Sequence, residues 1–423
     1  MITVGWIAVV VGPLITGVSL AGLLVVQRNR EPLAMLLSLV GVTITVSAVG
    51  ILAASSSSPA VNIAAGLIAL GGFGGGYGLV SALLGLTRRR CAHTFTPPGN
   101  PQDRALVLMV ADVEAETYEP HEVTRQILEF TEAGLPEASI GVLPFFYASH
   151  KARYRAVGGR SPERTQAHAL AEQVSDLLDP DLFSGPLLIN CTDGSALTEA
   201  IRTATEHGYR TVVAATPYIA EPLHIDLEKR GVDAARLDPV RPVLTYARPL
   251  GDSETIARHL AGRISDMVDE PSVTGVALVV HGQPGDRERT YAAFEEHENT
   301  FANRVRMMVT GDGVDEQHVR LCWDAWRAPD VTETVRHLAA LGCTRILVAP
   351  IARPFENLET LLELPAAIHQ ARVGDDVHVV QLPAWKDDPL IAEEIARAIE
   401  GAVREIADER GANAAESPVR DGS

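Results

Sequence analysis

Apolar positions run almost unbroken at the start of the chain and then recur at two shorter periods. Stretches 4–26, 32–54 and 61–86 contain no charged residue. Each is long enough for a helix to cross a hydrocarbon core, which takes about 20 residues. The pattern predicts a membrane anchor of three transmembrane helices over residues 1–90. Beyond residue 100 the apolar positions fall into short runs. These are ALVLMVA (105–111), PLLIN (186–190), TVVAAT (211–216), PVLTYA (242–247), GVALVV (275–280), RILVAP (345–350) and VHVVQL (377–382). Segments with helical spacing lie between them, among them ALTEAIRTATEHG, ETIARHLAGRISDMV, VTETVRHLAALG and LIAEEIARAIEGAV. Buried strands alternating with amphipathic helices predict βαβ units and parallel sheets, an α/β fold.

A helix, Gly, strand, Pro sequence occurs twice, in AIRTATEHGYRTVVAATP (200–217) and TVRHLAALGCTRILVAP (334–350). It predicts two similar Rossmann-like lobes, a first over 105–268 and a second over 274–407. Gly208 and Gly342 stand where a left-handed helix end is expected. The tail, 408–423, is polar with few large apolar residues and reads as disordered.

Charge orients the anchor. QRNREP after the first span and TRRR after the third are basic, whereas MITVG and SSSSPA carry no Arg or Lys. Basic loops stay inside, which predicts a multi-pass cell-membrane protein with its N-terminus outside and its C-terminal domain in the cytoplasm. No ionisable residue interrupts the spans, and GGFGGGYG (71–78) reads as close helix packing, not a phosphate loop. The net charge of −18 argues against nucleic-acid binding. The four cysteines, Cys91, Cys191, Cys322 and Cys343, have no metal-clip spacing, so neither a zinc knuckle nor an iron–sulfur cluster is expected.

Two strand ends carry candidate chemistry. GVALVVHGQP puts His281 directly after a buried strand. APIARPFENLETLLEL ends another strand and continues into a helical segment starting near Glu356, with Glu359 and Glu363 at the i, i+4 spacing that shares a helix face. Ligands of open α/β sheets bind at the carboxyl ends of strands, so His281 and Glu359 are expected to face one another across a cleft, with Glu356 peripheral. FEEHENT (294–300) reads as an exposed helix face. No P-loop or dinucleotide fingerprint is present.

Through these segments the chain from about 105 to 403 resembles the ferrochelatases, which insert ferrous iron into a porphyrin. ALVVHGQP is similar to the family's SAHGLP-type strand. APIARPFENLETLLEL is similar to its PIGF-x-x-DH-x-ETLYE segment, and RYRAVGGRSPERTQAHAL (153–170) to its RY-x-x-IGG-x-SP signature. WRAPDV and LPAWKDDPLIAEEIA align with later family segments. The resemblance implies a chelatase-like fold and a metal-chelating lyase acting at the cytoplasmic membrane face. It implies His281 and Glu359 as catalytic residues; His281, Glu359 and Glu363 as metal contacts; and Tyr154, Ser161, Tyr218, Trp326 and Asn357 as porphyrin-pocket residues. Porphyrin, Fe²⁺ and the lipid bilayer are then the partners, with no tightly bound cofactor. The sequence departs from the family in Glu356-Asn357 for Asp-His, in Arg353 at an apolar or aromatic position, and in ADVEA for a Gly-Thr-Pro turn. These departures keep two alternatives open: a non-catalytic tetrapyrrole- or metal-binding membrane protein acting as sensor or carrier, and a chelatase for another tetrapyrrole or metal.

Overall fold

The structure is a computed structural model that describes residues 2–55, 58–86, 104–120, 122–124, 140–190, 196–221, 223–235, 243–283, 292–386 and 388–416. It divides into two compact units, Met1–Cys91 with Thr117–Arg160, and Ala92–Glu116 with Ser161–Ser423. Residues 117–160, part of the first lobe expected from sequence, thus cluster with the apolar helices.

In the first unit, helices α1 (Ile2–Val25), α2 (Glu31–Ser55) and α3 (Pro59–Leu86) pack on one another. All three are long and apolar enough to cross a membrane. Small residues set their contacts. A Cβ built on Gly17 would lie 2.1 Å from the Phe73 carbonyl oxygen, and one on Gly76 would lie 2.3 Å from that of Leu14. Part of the GGFGGGYG run therefore brings backbones together, as expected in lipid, where close approach replaces the hydrophobic drive. The outward faces are apolar, with Leu39, Val46 and Leu70 each more than 60% exposed.

The carbonyl end of α1 is satisfied from far along the chain. Lys151 Nζ donates to Leu23 O (2.7 Å) and Val26 O (3.1 Å), and Tyr118 OH donates to Val25 O (2.7 Å). A helix end leaves its last carbonyls unpaired and its dipole negative, so an ammonium is well placed there. Lys151 belongs to helix Leu143–Ala156, which is thereby fixed to the end of α1.

The second unit holds two four-stranded parallel sheets of identical plan. The strands are β1 (Ala105–Ala111), β2 (Phe183–Asn190), β3 (Thr211–Ala215), β4 (Val243–Tyr246), β5 (Thr274–Val280), β6 (Val319–Trp323), β7 (Arg345–Pro350) and β8 (His378–Gln381). Their orders are β2-β1-β3-β4 and β6-β5-β7-β8. Every residue of the central strands β1 and β5 is buried, which explains their continuous apolar runs. One core cluster joins the sheets, with Val107, Leu278 and Leu347 packing among Leu170, Ile256, Phe301 and Ile395. Burying each such side chain contributes about 1.5–3 kcal/mol.

Local signals place the helices. Asp330 accepts a hydrogen bond from Glu333 N–H (2.7 Å), and the Glu333 carboxylate accepts from Asp330 N–H (3.1 Å). This capping box starts helix Val331–Ala340. Three elements differ from the sequence expectation. Strand β6 is absent from it, because VRLCW is short and only partly buried. Residues 408–416, expected to be disordered, continue helix Pro389–Glu416, since ADERGANAAE is rich in good helix formers that carry one interior Gly. The helix expected from Glu356 begins instead as a π-helix, Glu359–Glu363. Leu364 N–H bonds back to Glu359 O, five residues earlier, and Pro365 follows without an N–H of its own. Residues 417–423 lie outside the described residues.

Candidate active site at the strand ends of the second sheet

Strand β5 delivers His281 to the carboxyl edge of its sheet, and the chain turns sharply after it. Gly282 has φ +76°, and a Cβ there would lie 2.7 Å from Trp323 Cδ1 and 2.8 Å from Ala325 O. Only glycine fits both the conformation and the space. Buried Glu298, on helix Ala292–Gly311, accepts hydrogen bonds from the backbone N–H groups of His281 and Gly282, both at 3.0 Å. FEEHENT therefore does not form a wholly exposed face. Its fifth residue points into the core, because the helix must bury one side against the sheet. Burial raises the Glu298 carboxyl, only partly countered by His281 and the two N–H donors.

Three strand ends meet at the His281 imidazole. Asp324 follows β6 and places Oδ1 2.9 Å from His281 Nδ1. Arg353 follows β7. Its Nε and Nη2 donate to Asp324 Oδ2 at 2.9 and 2.7 Å, and Nη2 lies 2.5 Å from His281 Nδ1. The same Nη2 pairs with Glu359 Oε2 at the start of the π-helix. One ligand-capable atom from each of His281, Asp324 and Glu359 falls within 4.8 Å of the other two. Imidazole nitrogen with two carboxylate oxygens is a donor set suited to a first-row divalent metal. The Arg353 guanidinium contacts all three residues.

The electrostatics follow from this packing. Burial raises the Asp324 carboxyl, but Arg353 and His281 outweigh it and hold the group below the usual range. Burial and Arg353 lower the His281 imidazole, yet Asp324 and Glu359 prevail and its pKa is raised. The Nδ1 atom faces incompatible demands: to donate to Asp324 it must carry a proton, and to accept from Arg353 it must not. Burial lowers the Arg353 guanidinium, but Asp324 and Glu359 raise it further, so it stays a cation.

The first sheet contributes a different group of acids. After β1, Glu114 N–H donates to Glu163 Oε2 (2.8 Å), while Glu114 Oε1 accepts from Leu358 N–H (2.8 Å) and from Ser161 Oγ. Asn357 Nδ2 reaches Glu163 Oε1 at 3.4 Å, and Gln166 Oε1 accepts from Glu356 N–H at 2.8 Å. These bonds join the lobes beside Glu359. Burial and neighbouring Glu114 push the Glu163 carboxyl well above its ordinary value.

The structure thus unites His281 with Glu359 but separates Glu363. Glu363 is exposed and outside the donor group, and Asp324 takes the third place. The i, i+4 spacing shows which side chains share a helix face, not which of them the tertiary fold turns toward His281, and here Glu363 faces solvent. Asn357 acts within the turn: its Oδ1 accepts from Thr360 N–H (3.0 Å) and its own N–H donates to Thr360 Oγ1 (2.9 Å). Tyr218 OH both accepts from Asp112 N–H and donates to Asp112 O, each at 3.0 Å, steadying the turn after β1. Trp326, at φ +66°, is 53% exposed two residues beyond Asp324. Ser161 is buried on Glu114, and Tyr154 belongs to the other compact unit. Glu356 is buried, accepting from Thr360 Oγ1 (2.8 Å) and Ala384 N–H (3.1 Å).

Sequence reasoning missed Asp324, Glu114, Glu163 and Glu298, and took Arg353 only as a departure. The signal for Asp324 was the acid directly after VRLCW, visible once that run is read as a strand.

The sheet edge of this α/β protein thus carries an imidazole, two carboxylates and a compensating guanidinium. Residues 137–403 match the Ferrochelatase family, and the chain belongs to it. Membership supports a tetrapyrrole metal chelatase as the general class. Among curated proteins, none matches the chain. Similar solved structures include SirB from Bacillus subtilis with Fe³⁺, with TM-score 0.45 and 12% identity over 72% of this chain and 98% of that one. Another is the sirohydrochlorin chelatase SirB from Bacillus subtilis subspecies spizizenii in complex with cobalt, with TM-score 0.40 and 12% identity over 71% and 96%.

Proposed function

We propose that the protein inserts a divalent metal, ferrous iron first among candidates, into a porphyrin at the cytoplasmic face of the cell membrane. The observation that carries this reading is the His281, Asp324 and Glu359 donor group at three converging chain segments. Insertion replaces two pyrrole N–H protons by M²⁺, so the site must accept two protons and hold the ion while its water is shed. His281 is the base for the first proton, and the carboxylates of Asp324 and Glu359 hold the arriving cation and receive the second proton. Glu298 keeps the His281 backbone in place, while Ser161, Tyr218, Trp326 and Asn357 remain proposed pocket residues. Asn357 and Ser161 are already engaged within the fold.

Arg353 shapes the mechanism. Two partly buried carboxylates repel each other and lose hydration unless a cation lies between them. The guanidinium supplies that charge before metal arrives and must withdraw from Glu359 and Asp324 for the ion to take its place. One cation then replaces another, and the conflict at His281 Nδ1 ends as Arg353 leaves, freeing the imidazole to act as base.

Arg353 also favours a second reading, a protein that binds a tetrapyrrole without metallating it, because a permanent cation among the donors excludes the ion. A screen of full-length protein against porphyrin and sirohydrochlorin, each with Fe²⁺, Co²⁺ and Zn²⁺, separates the readings by absorbance change. Metallation of porphyrin that disappears in His281→Ala supports the first. Metallation of sirohydrochlorin alone moves the substrate assignment. Stoichiometric binding with no metallation in any pair establishes the second.

A further inference from the structure

The first compact unit carries a half-open cavity of about 800 Å³ that the proposed chemistry does not use. Its walls are the turn between α1 and α2 and the helix Leu143–Ala156 with the turn that follows. Among the described residues, the cationic Arg28, Lys151, Arg155 and Arg160 line it with the acid Glu31. Lys151 and Arg155 converge on a single oxygen of that acid, Glu31 Oε1. Among the described lining residues positive charge thus exceeds negative, and the cavity's volume lies in the range of small-molecule sites.

We propose that this cavity holds the phosphate of an anionic phospholipid headgroup. Two observations favour a lipid over a soluble anion. The cavity lies where the apolar runs of α1 and α2 end and the basic turn begins, the level of headgroups when these helices span a bilayer. Next along α2, Leu33, Met35 and Leu36 are each more than 50% exposed, an apolar track for acyl chains below the charged cavity. Basic pockets at the cytoplasmic ends of membrane helices recognise lipid phosphates through charge-assisted hydrogen bonds.

The inference rests on the membrane-spanning reading of α1, α2 and α3, not on metal insertion, so its test reads lipid and not turnover. Full-length protein is reconstituted in nanodiscs of phosphatidylcholine with a minority of phosphatidylglycerol, released into mild detergent, and its retained lipids are counted by native mass spectrometry. Phosphatidylglycerol is expected to be enriched roughly tenfold over phosphatidylcholine. The exposed pair Arg28→Gln with Arg160→Gln should bring the ratio close to that of the nanodisc, and the Arg→Lys pair should keep most of the enrichment. Enrichment unchanged in the Gln pair, or none in the wild type, overturns the site. Loss of the retained lipid to millimolar inorganic phosphate assigns the cavity to a free anion and also overturns it. Carbonate extraction of native membranes tests the spanning reading separately: a chain released by carbonate overturns that reading, whereas a chain that stays embedded without headgroup preference overturns the lipid site alone.

Discussion

At the carboxyl edge of the first sheet, Glu114 and Glu163 are held by backbone N–H groups and by Ser161 and Asn357. At the same edge of the second sheet, Asp324 and Glu359 are bridged by the Arg353 side chain, with His281 also on Asp324. The strand orders are identical. The acids of the first sheet are committed to joining the lobes, because a backbone donor cannot leave without unfolding its turn. The acids of the second sheet are committed to a guanidinium on a flexible stem, which can. One architecture yields a seam on one side and, on the proposed reading, a reaction site on the other, according to whether the compensating donor is fixed or removable.

The strongest way to break this comparison is His281→Ala. Removing the base should lower metal insertion by on the order of 10²- to 10⁴-fold while circular dichroism stays native, and full turnover in that variant would take His281 out of its role. Arg353→Met comes next. It strands two partly buried carboxylates and should cost about 2 kcal/mol in the metal-free protein. Divalent metal should then raise the melting temperature of the variant more than that of the wild type, because the ion fills the place of the lost cation. An equal metal response in both would mean that Arg353 and the ion do not compete.

Much of this contrast could be read from the chain before any coordinates. Central strands such as ALVLMVA and GVALVV are buried on both faces and announce themselves, and His281 stands directly at the end of one. Asp324 escaped because its strand is a short edge strand with Arg320 inside it, a pattern that does not separate from a loop. The structural tasks of Glu114 and Glu163 depend on which backbone N–H groups the tertiary fold delivers to them, and nothing local encodes that. That Glu359 and not Glu363 joins His281 and Asp324 depends on where the tertiary fold sets the segment, which a residue count along the sequence cannot reveal.

Smaller effects sharpen the contrast. Glu114→Ala should cost about 1–3 kcal/mol, since the Leu358 N–H loses its acceptor, yet it should leave the pH profile of insertion unchanged in chemical denaturation and rate measurements made side by side. A moved profile would make the seam part of the site. The pH dependence gives the smallest signal and a definite sign. His281 must be neutral to act as a base, and Asp324 and Glu359 raise its pKa. Activity should therefore rise with pH through a limb that lies above the ordinary histidine value. Asp324→Asn removes a raising charge and should move that limb to lower pH, whereas Arg353→Met removes a lowering one and should move it higher. Coincident limbs in all three proteins would show that another group titrates. The same linkage makes the His281 contribution to stability present below its unfolded pKa and lost as pH climbs through the raised folded value.

The bond between Lys151 and the end of α1 bears on how this protein can be handled. A fragment trimmed of residues 1–91 would leave the Lys151 ammonium without the Leu23 and Val26 carbonyls and without Glu31, and would leave Tyr118 without Val25. The hydrophobic leader is thus not a detachable tether. It is the floor on which residues 117–160 are laid, and a soluble truncation made for convenience would lack the partners that hold that segment in place.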